Sequence, residues 1–425
     1  MRRLSTSLLI TSIAATMVAT LLSVPAYAVP GHLDPFFDTD GRQTSFIHGA
    51  TGYAVAIDKR QRIVVAGYTL TRQTDIALAR FLPNGQPDPG FGGGDGRTEF
   101  NLGGTDYAFD VAIQDDGKIV VAGERDLTNH SQFAVARFGT GGLPDASFSG
   151  DGKAFVDFGT RFQGANALAI GPGGKILIGG FSSNGSTGRW AMARFLPDGT
   201  LDDGFGGDGK VSTNMSTTDE QIEDLVITPG GAIVAAGYAE VGRTPRFAVA
   251  RYGSGGRLDP RFGNDGKNLI DVSRGGDIAY GIAQRSDGGF ILAGYAGHAG
   301  GNDWGLVALG PLGHLDSTFG DRGRVITAFG PAFEYAYGVA IQPNGRIVVV
   351  GRASRAGADF CTVRYKAGGS IDPAFGAGGK AFTDFFGGED TARGVALQSN
   401  GKIVVVGDAL NHGVRRMALA RYLSA

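Results

Sequence analysis

Apolar positions along the chain come in short runs with a period of two. In Phe109-Asp110-Val111-Ala112-Ile113, large apolar side chains alternate with small or polar ones, the pattern of a β-strand with two unlike faces. The same pattern stands at Tyr53–Ile57, Asn166–Ile170, Glu223–Ile227, Tyr280–Gln284, Tyr337–Ile341 and Arg393–Leu397. A turn pair follows in six copies, such as Asp116-Gly117 or Asn344-Gly345, and supplies the positive φ of a tight hairpin; the first copy has Arg60-Gln61, which predicts a different turn. Next comes a near-continuous β-branched run, KIVVAG in the second copy, as expected of a strand covered on both faces. A third run carries a large apolar column (Ile76, Phe133, Trp190, Phe247, Trp304, Phe360, Met417) and ends in an arginine, replaced once by Ala308. A fourth run opens with a basic residue in every copy, from Arg42 and Arg97 to Lys380, after a segment of the form L-D-x-x-F-G-x-D-G. Such charges protect an outer edge strand from pairing with another molecule.

The four runs form one unit, and the unit repeats. The glycine that ends KIVVAG stands at Gly67, Gly123, Gly180, Gly237, Gly294, Gly351 and Gly407, so seven copies follow one another at intervals of 56 or 57 residues. A period of that length built of short strands predicts an all-β, seven-bladed β-propeller of four-stranded antiparallel blades. The first unit begins with the fourth strand and the last ends with the third. The stretch Arg42–Ile47 is therefore expected to complete the last blade and close the ring.

Composition adds a compartment and removes several functions. Arg2 and Arg3, the apolar stretch from Leu8 to Val24 and the Ala26-Tyr27-Ala28 site read as a signal peptide over residues 1–28, leaving 29–425 as a single propeller exported to the periplasm or beyond the cell. No later run is long and apolar enough to cross a bilayer as a helix. A net charge of -2 gives no electrostatic footprint for nucleic acid. The one cysteine, Cys361, aligns with Ala77, Ala134, Ala191 and Ala248, which predicts a buried small residue, not a reactive thiol.

The KIVVAG, ARF or ARY and LDxxFGxDGK segments at about 57-residue spacing resemble the delta-60 repeat family, over essentially all of the chain after residue 28. That resemblance implies a β-propeller and export, and carries no established activity or catalytic residues. Ala308, Arg322, Gly378 and the Arg60-Gln61 turn depart from the pattern without disturbing the register.

Candidate chemistry is sparse. No nucleophile elbow or P-loop occurs, and no histidine pair has zinc-site spacing. Only Asp38-Thr39-Asp40-Gly41 places acids at alternate positions as a calcium loop does, and turn hydrogen bonding explains such aspartates at less cost, so neither metal nor cofactor is expected. What varies between copies is the segment after the KIVVAG glycine and the first residue of the first strand. That residue gives a mixed ring, Tyr53, Phe109, Asn166, Glu223, Tyr280, Tyr337 and Arg393, with Asp110 and Asp224 one position on. Aromatics beside amide, acid and guanidinium furnish recognition pockets. The expectation is a monomeric binding or scaffold module for an unknown protein, peptide or glycan, recognising it on the face of variable loops. The alternative is a propeller hydrolase or lyase acting on glycan or ester substrates, with acids at the channel mouth.

Overall fold

The computed structural model describes residues 29–424 apart from 46, 48, 71, 72 and 356; the expected signal peptide lies outside the described residues. Seven four-stranded antiparallel sheets follow one another, each ordered A-B-C-D from the channel outward; in blade two these strands are Thr105–Ile113, Ile119–Asp126, Ser131–Phe138 and Lys153–Val156, and the other blades repeat them. Strand A spans Ala50–Ile57, Thr105–Ile113, Phe162–Ile170, Glu220–Ile227, Asp277–Gln284, Tyr335–Ile341 and Asp390–Leu397 in blades one to seven. The last blade takes its outer strand from the other end of the chain: Arg42, Gln43 and Thr44 pair with Ala420, Leu419 and Ala418. Ring closure thus joins the two ends of the chain in one sheet, over three residues instead of the six expected.

Burial follows the repeat. The apolar core is divided into seven clusters, each between neighbouring blades, so no single core has to serve the whole chain. The large column of strand C lies in these seams. Trp190 and Trp304 are fully buried, and each donates its indole N–H to a carbonyl of the next blade, Tyr238 at 3.2 Å and Arg352 at 3.1 Å. Cys361 is buried in the seam of blades five and six, and burial pushes its thiol well above the ordinary range.

The arginine that ends strand C pairs with the aspartate eight residues later. Arg80 meets Asp88 at 2.7 Å, Arg137 meets Asp145 at 2.7 Å and Arg364 meets Asp372 at 2.9 Å, with the same pair at Arg194–Asp202 and Arg251–Asp259; in the last blade Asp34, from the start of the propeller, takes that place beside Arg421. The guanidinium also donates to a turn carbonyl of the following blade, as from Arg364 to Ser424 at 2.6 Å. In the fifth blade Ala308 leaves Asp316 without that partner, and Arg285 from the A–B turn reaches it instead at 2.7 Å.

Two features differ from expectation. The first blade's A–B turn has the same two backbone hydrogen bonds as the others, because Gln61 adopts the left-handed φ of +63° that glycine supplies elsewhere. Its side-chain oxygen accepts from the Ser399 amide, tying blade one to blade seven. The turns are also longer than two residues: Ile113 pairs with Ile119, which leaves five residues in the connection. The Asp38–Gly41 loop behaves as a turn, Asp40 holding Arg42 at 2.7 Å.

Candidate functional site

All seven variable residues of strand A occupy one structural position. In each blade the A–B register skips one residue of strand A, leaving it without a partner: Tyr53, Phe109, Asn166, Glu223, Tyr280, Tyr337 and Arg393. A β-bulge of this kind bends the strand and redirects a side chain. The repeated glycine of strand B makes room for it. A Cβ at Gly237 would stand 2.0 Å from the Gln221 carbonyl oxygen, and one at Gly123 would stand 1.8 Å from that of Tyr107. No side chain survives that approach, so the KIVVAG glycine and the ring residue are two halves of one feature.

The bulges point the ring into the central channel. All nine residues singled out in the sequence line one cavity of about 400 Å³, with walls from all seven blades. The ring is therefore mid-strand, not at the strand start. The segments expected to be B–C loops are also largely strand. Strand B continues past its glycine to Val241, His298 and Asn411, and the turns there are two residues long. These segments vary although they are structured, and their second residue still enters the seams: Ala239, Ala296 and Ala409 are buried in the apolar clusters.

The ring is chemically sorted. Tyr53 and Phe109 meet at 5.3 Å on one flank, and Tyr280 and Tyr337 at 5.1 Å on another. The Arg393 guanidinium lies over Tyr53 at 4.3 Å and faces Tyr337 at 5.4 Å, with Nε on Asp408 Oδ1 at 3.0 Å. Asn166 donates Nδ2 to the Ile222 carbonyl at 2.9 Å. Glu223 makes no hydrogen bond or ion pair among the described residues; burial, and then the nearby Asp224, push it up to about 8.

Asp110 and Asp224 have a structural task. Each accepts two backbone amides, one from its own blade and one from the next: Asp110 from Val111 and Leu168, both at 2.7 Å, and Asp224 from Leu225 at 2.7 Å and Ile282 at 2.8 Å. They staple blade two to three and blade four to five, where the other blades have Ala54, Ala167, Gly281, Gly338 or Gly394. Burial raises Asp110 to about 8 and Asp224 to about 7, although the amides pull each toward ionisation.

Within the variable segments after the KIVVAG glycine, the structure picks out a second row. The residue after each strand B glycine backs the ring: Tyr68 reaches Tyr53 at 3.4 Å between hydroxyls, Tyr295 packs on Tyr280, and Asp408 holds Arg393. Its fixed offset from the glycine was the available signal. A further column, Asp106, Gln163, Glu220, Asp277, Glu334 and Asp390, is fully buried and accepts amides of the D–A connections, as Glu220 does from Met215 at 2.9 Å. Asp390 also stands near Asp359 and Asp384, close enough to share an ion, with burial raising Asp390 to about 6.

Comparison with known proteins bears on the fold. Six stretches, 62–91, 114–148, 172–205, 229–262, 342–375 and 398–424, match the model described as a domain of unknown function (DUF5122) beta-propeller. Six of the seven repeats thus each contain a stretch similar to that model. The repeat outside these stretches is the fifth, which has Ala308 in place of the arginine. No curated protein matches. Among solved structures, the chain is similar to a catalytically inactive virginiamycin B lyase from Staphylococcus aureus with quinupristin, at a TM-score of 0.54 and 10% identity over 89% of this chain and 98% of that one. It is also similar to a polysaccharide lyase, ulvan lyase, bound to GlcA(1-4)Rha3S, at 0.51 and 12% over 89% and 96%. At such identities the likeness is one of fold alone.

Proposed function

We propose that the chain is an exported binding module whose ligand enters the central channel and is held by the bulge ring. One observation carries this reading. Within a strand A that otherwise repeats closely, the residue that varies most in chemistry is the one that seven bulges turn into one cavity. Tyrosine, phenylalanine, asparagine, glutamate and arginine all occupy that position in the same backbone register, so no one side chain is required by the frame. The cavity is within the range that small ligands occupy. The recognition surface is then the channel and its mouth.

The enzymatic alternative rests on the raised acids, which mark functional sites in many proteins. Of the three raised acids that line the cavity, Asp110 and Asp224 already spend both oxygens on backbone amides. That leaves Glu223 as one available carboxyl, whereas hydrolysis of a glycosidic bond ordinarily uses a pair. The lyases of similar fold keep elimination chemistry as a second reading, with Glu223 as its proton-handling group.

The test is a comparison of alanine variants on a ligand found by glycan and peptide arrays. Replacing Tyr280, Tyr337, Glu223 and Arg393 is expected to weaken binding tenfold or more in combination. Replacing Lys153, Lys210 and Lys267 on the outer strands is expected to leave it unchanged. The opposite result moves the site to the rim.

A further inference from the structure

We infer that the channel selects a ring-shaped organic anion of the sugar-acid class, with its carboxylate on Arg393; this rests on the channel being the binding site. The argument begins with the charges at blade seven. Asp408 is fully buried and is shared by Arg393 and Arg415, two cations on one carboxylate, so one positive charge remains uncompensated at the channel wall. Arg393 spends only Nε on Asp408, and its two terminal nitrogens have no partner among the described residues. Held between Tyr53 and Tyr337, the guanidinium keeps its fork ordered and free, the geometry that receives a carboxylate through two parallel bonds.

The far side of the channel is not a matching anion. Blade four stands three blades from blade seven, and its ring residue, Glu223, has no hydrogen-bond or ion-pair partner among the described residues, while burial, and then Asp224, push it up to about 8 and favour its protonated form. A protonated carboxyl donates one hydrogen bond and accepts others, which suits a hydroxyl and gives an amine no charge to pair with. Asn166 beside it spends its Nδ2 on the Ile222 carbonyl and leaves its oxygen for a second hydroxyl. Between these two ends stand Tyr53 with Phe109 and Tyr280 with Tyr337, whose ring faces suit the C–H faces of a saccharide ring. Carboxylate at one end, hydroxyls at the other and an apolar face between them describe a uronic acid. The same chemistry arises from a free monosaccharide or from the end of an acidic polysaccharide.

Calorimetric titration of the whole protein at pH 6.5 tests this with galacturonate, trigalacturonate, galactose, galactosamine and benzoate as probes. Galacturonate is expected to bind at least tenfold tighter than galactose and galactosamine, and tighter than benzoate. Arg393→Gln should abolish the advantage of the acid over the neutral sugar. Arg393→Lys, which keeps the charge and loses the fork, should keep part of it, and serves if the glutamine variant unfolds. Tighter binding of trigalacturonate identifies a polysaccharide end; equal binding identifies the free acid. Galactose binding as well as galacturonate, galactosamine binding better, or Arg393→Gln leaving the preference intact would each overturn the proposal. If galactose or benzoate binds and Tyr280→Ala removes that binding, the channel remains the site while the anion assignment fails. If the acid binds and neither Arg393→Gln nor Tyr280→Ala affects it, the channel itself is wrong. No binding by either acid sugar overturns the assignment outright.

Discussion

At the scale of single residues, Glu223 is the group whose environment departs furthest from water without a structural reason. Its proton affinity has a consequence for stability with a definite sign. The folded carboxyl is raised to about 8 from an ordinary value of 4.5, so between those limits the native state holds a proton that the unfolded state has released. Stability contributed by this group therefore falls as pH rises through that window and is constant outside it. Glu223→Gln removes the cost of ionising. The variant should match the parent in melting temperature at pH 4 and exceed it by about 1–3 °C at pH 8, after allowance for water in the channel. A difference that does not change with pH would show that Glu223 titrates normally. The identity of Glu223 as a ring residue was legible in the sequence, from comparing the chain with itself. Its role apart from Asp224 was not, because both are acids in adjacent positions and only the hydrogen bonds distinguish them.

At the scale of the element, the bulge couples strand A to the glycine of strand B. A mutation pair isolates that coupling. Gly237→Ala puts a methyl 2.0 Å from the Gln221 oxygen and should cost about 2–4 kcal/mol in unfolding experiments, since either the bulge or the A–B pairing must yield. Gly230→Ala, in the neighbouring turn, meets nothing nearer than Thr228 Oγ1 at 3.9 Å and should fall within about 0.5 kcal/mol of the parent. Equal costs at the two sites would mean that the glycine serves no bulge. The sequence showed that the glycine recurs and that the ring varies, but not that one causes the other. A bulge is a matter of register, and period-two patterning reads the same on either side of it. The extended strand B was missed for a related reason: past the glycine the seam takes up only a small residue, such as the buried Ala239 between Tyr238 and Glu240, which is too weak an alternation to mark a strand. The recurrence of the arginine, and its loss at Ala308, was legible in the sequence, whereas its replacement by Arg285 in the fifth blade required the fold.

At the scale of the whole molecule, seven seams share the core and one of them is closed by residues from opposite ends of the chain. Arg42–Thr44 pairs with Ala418–Ala420, Lys402 and Arg421 both reach Asp34, and Arg421 also donates to Pro83 in blade one. Removal of residues 29–47 opens the strand C edge of blade seven and strips the buried Arg421 and the half-buried Lys402 of their carboxylate. The shortened protein should melt at least 10 °C below the parent or aggregate on purification, as read by calorimetry and light scattering. An unchanged melting temperature would mean that the ring holds without its closing strand. The closure was legible because the repeat is cut at a different point from the blade, which the order of motifs shows directly. Ring size and strand order followed from the count of repeats; the content of the channel did not, since it depends on which residues the bulges turn inward.

The central claim, that the bulge ring is where the chain meets its ligand, is tested most directly by a crystal structure of the protein with that ligand bound. The account predicts ligand density inside the channel, against Tyr280 and Tyr337 and within hydrogen-bond distance of Arg393 or Glu223. Density on the outer strands beside Lys153, Lys210 or Lys267, with the channel holding only water, would contradict it.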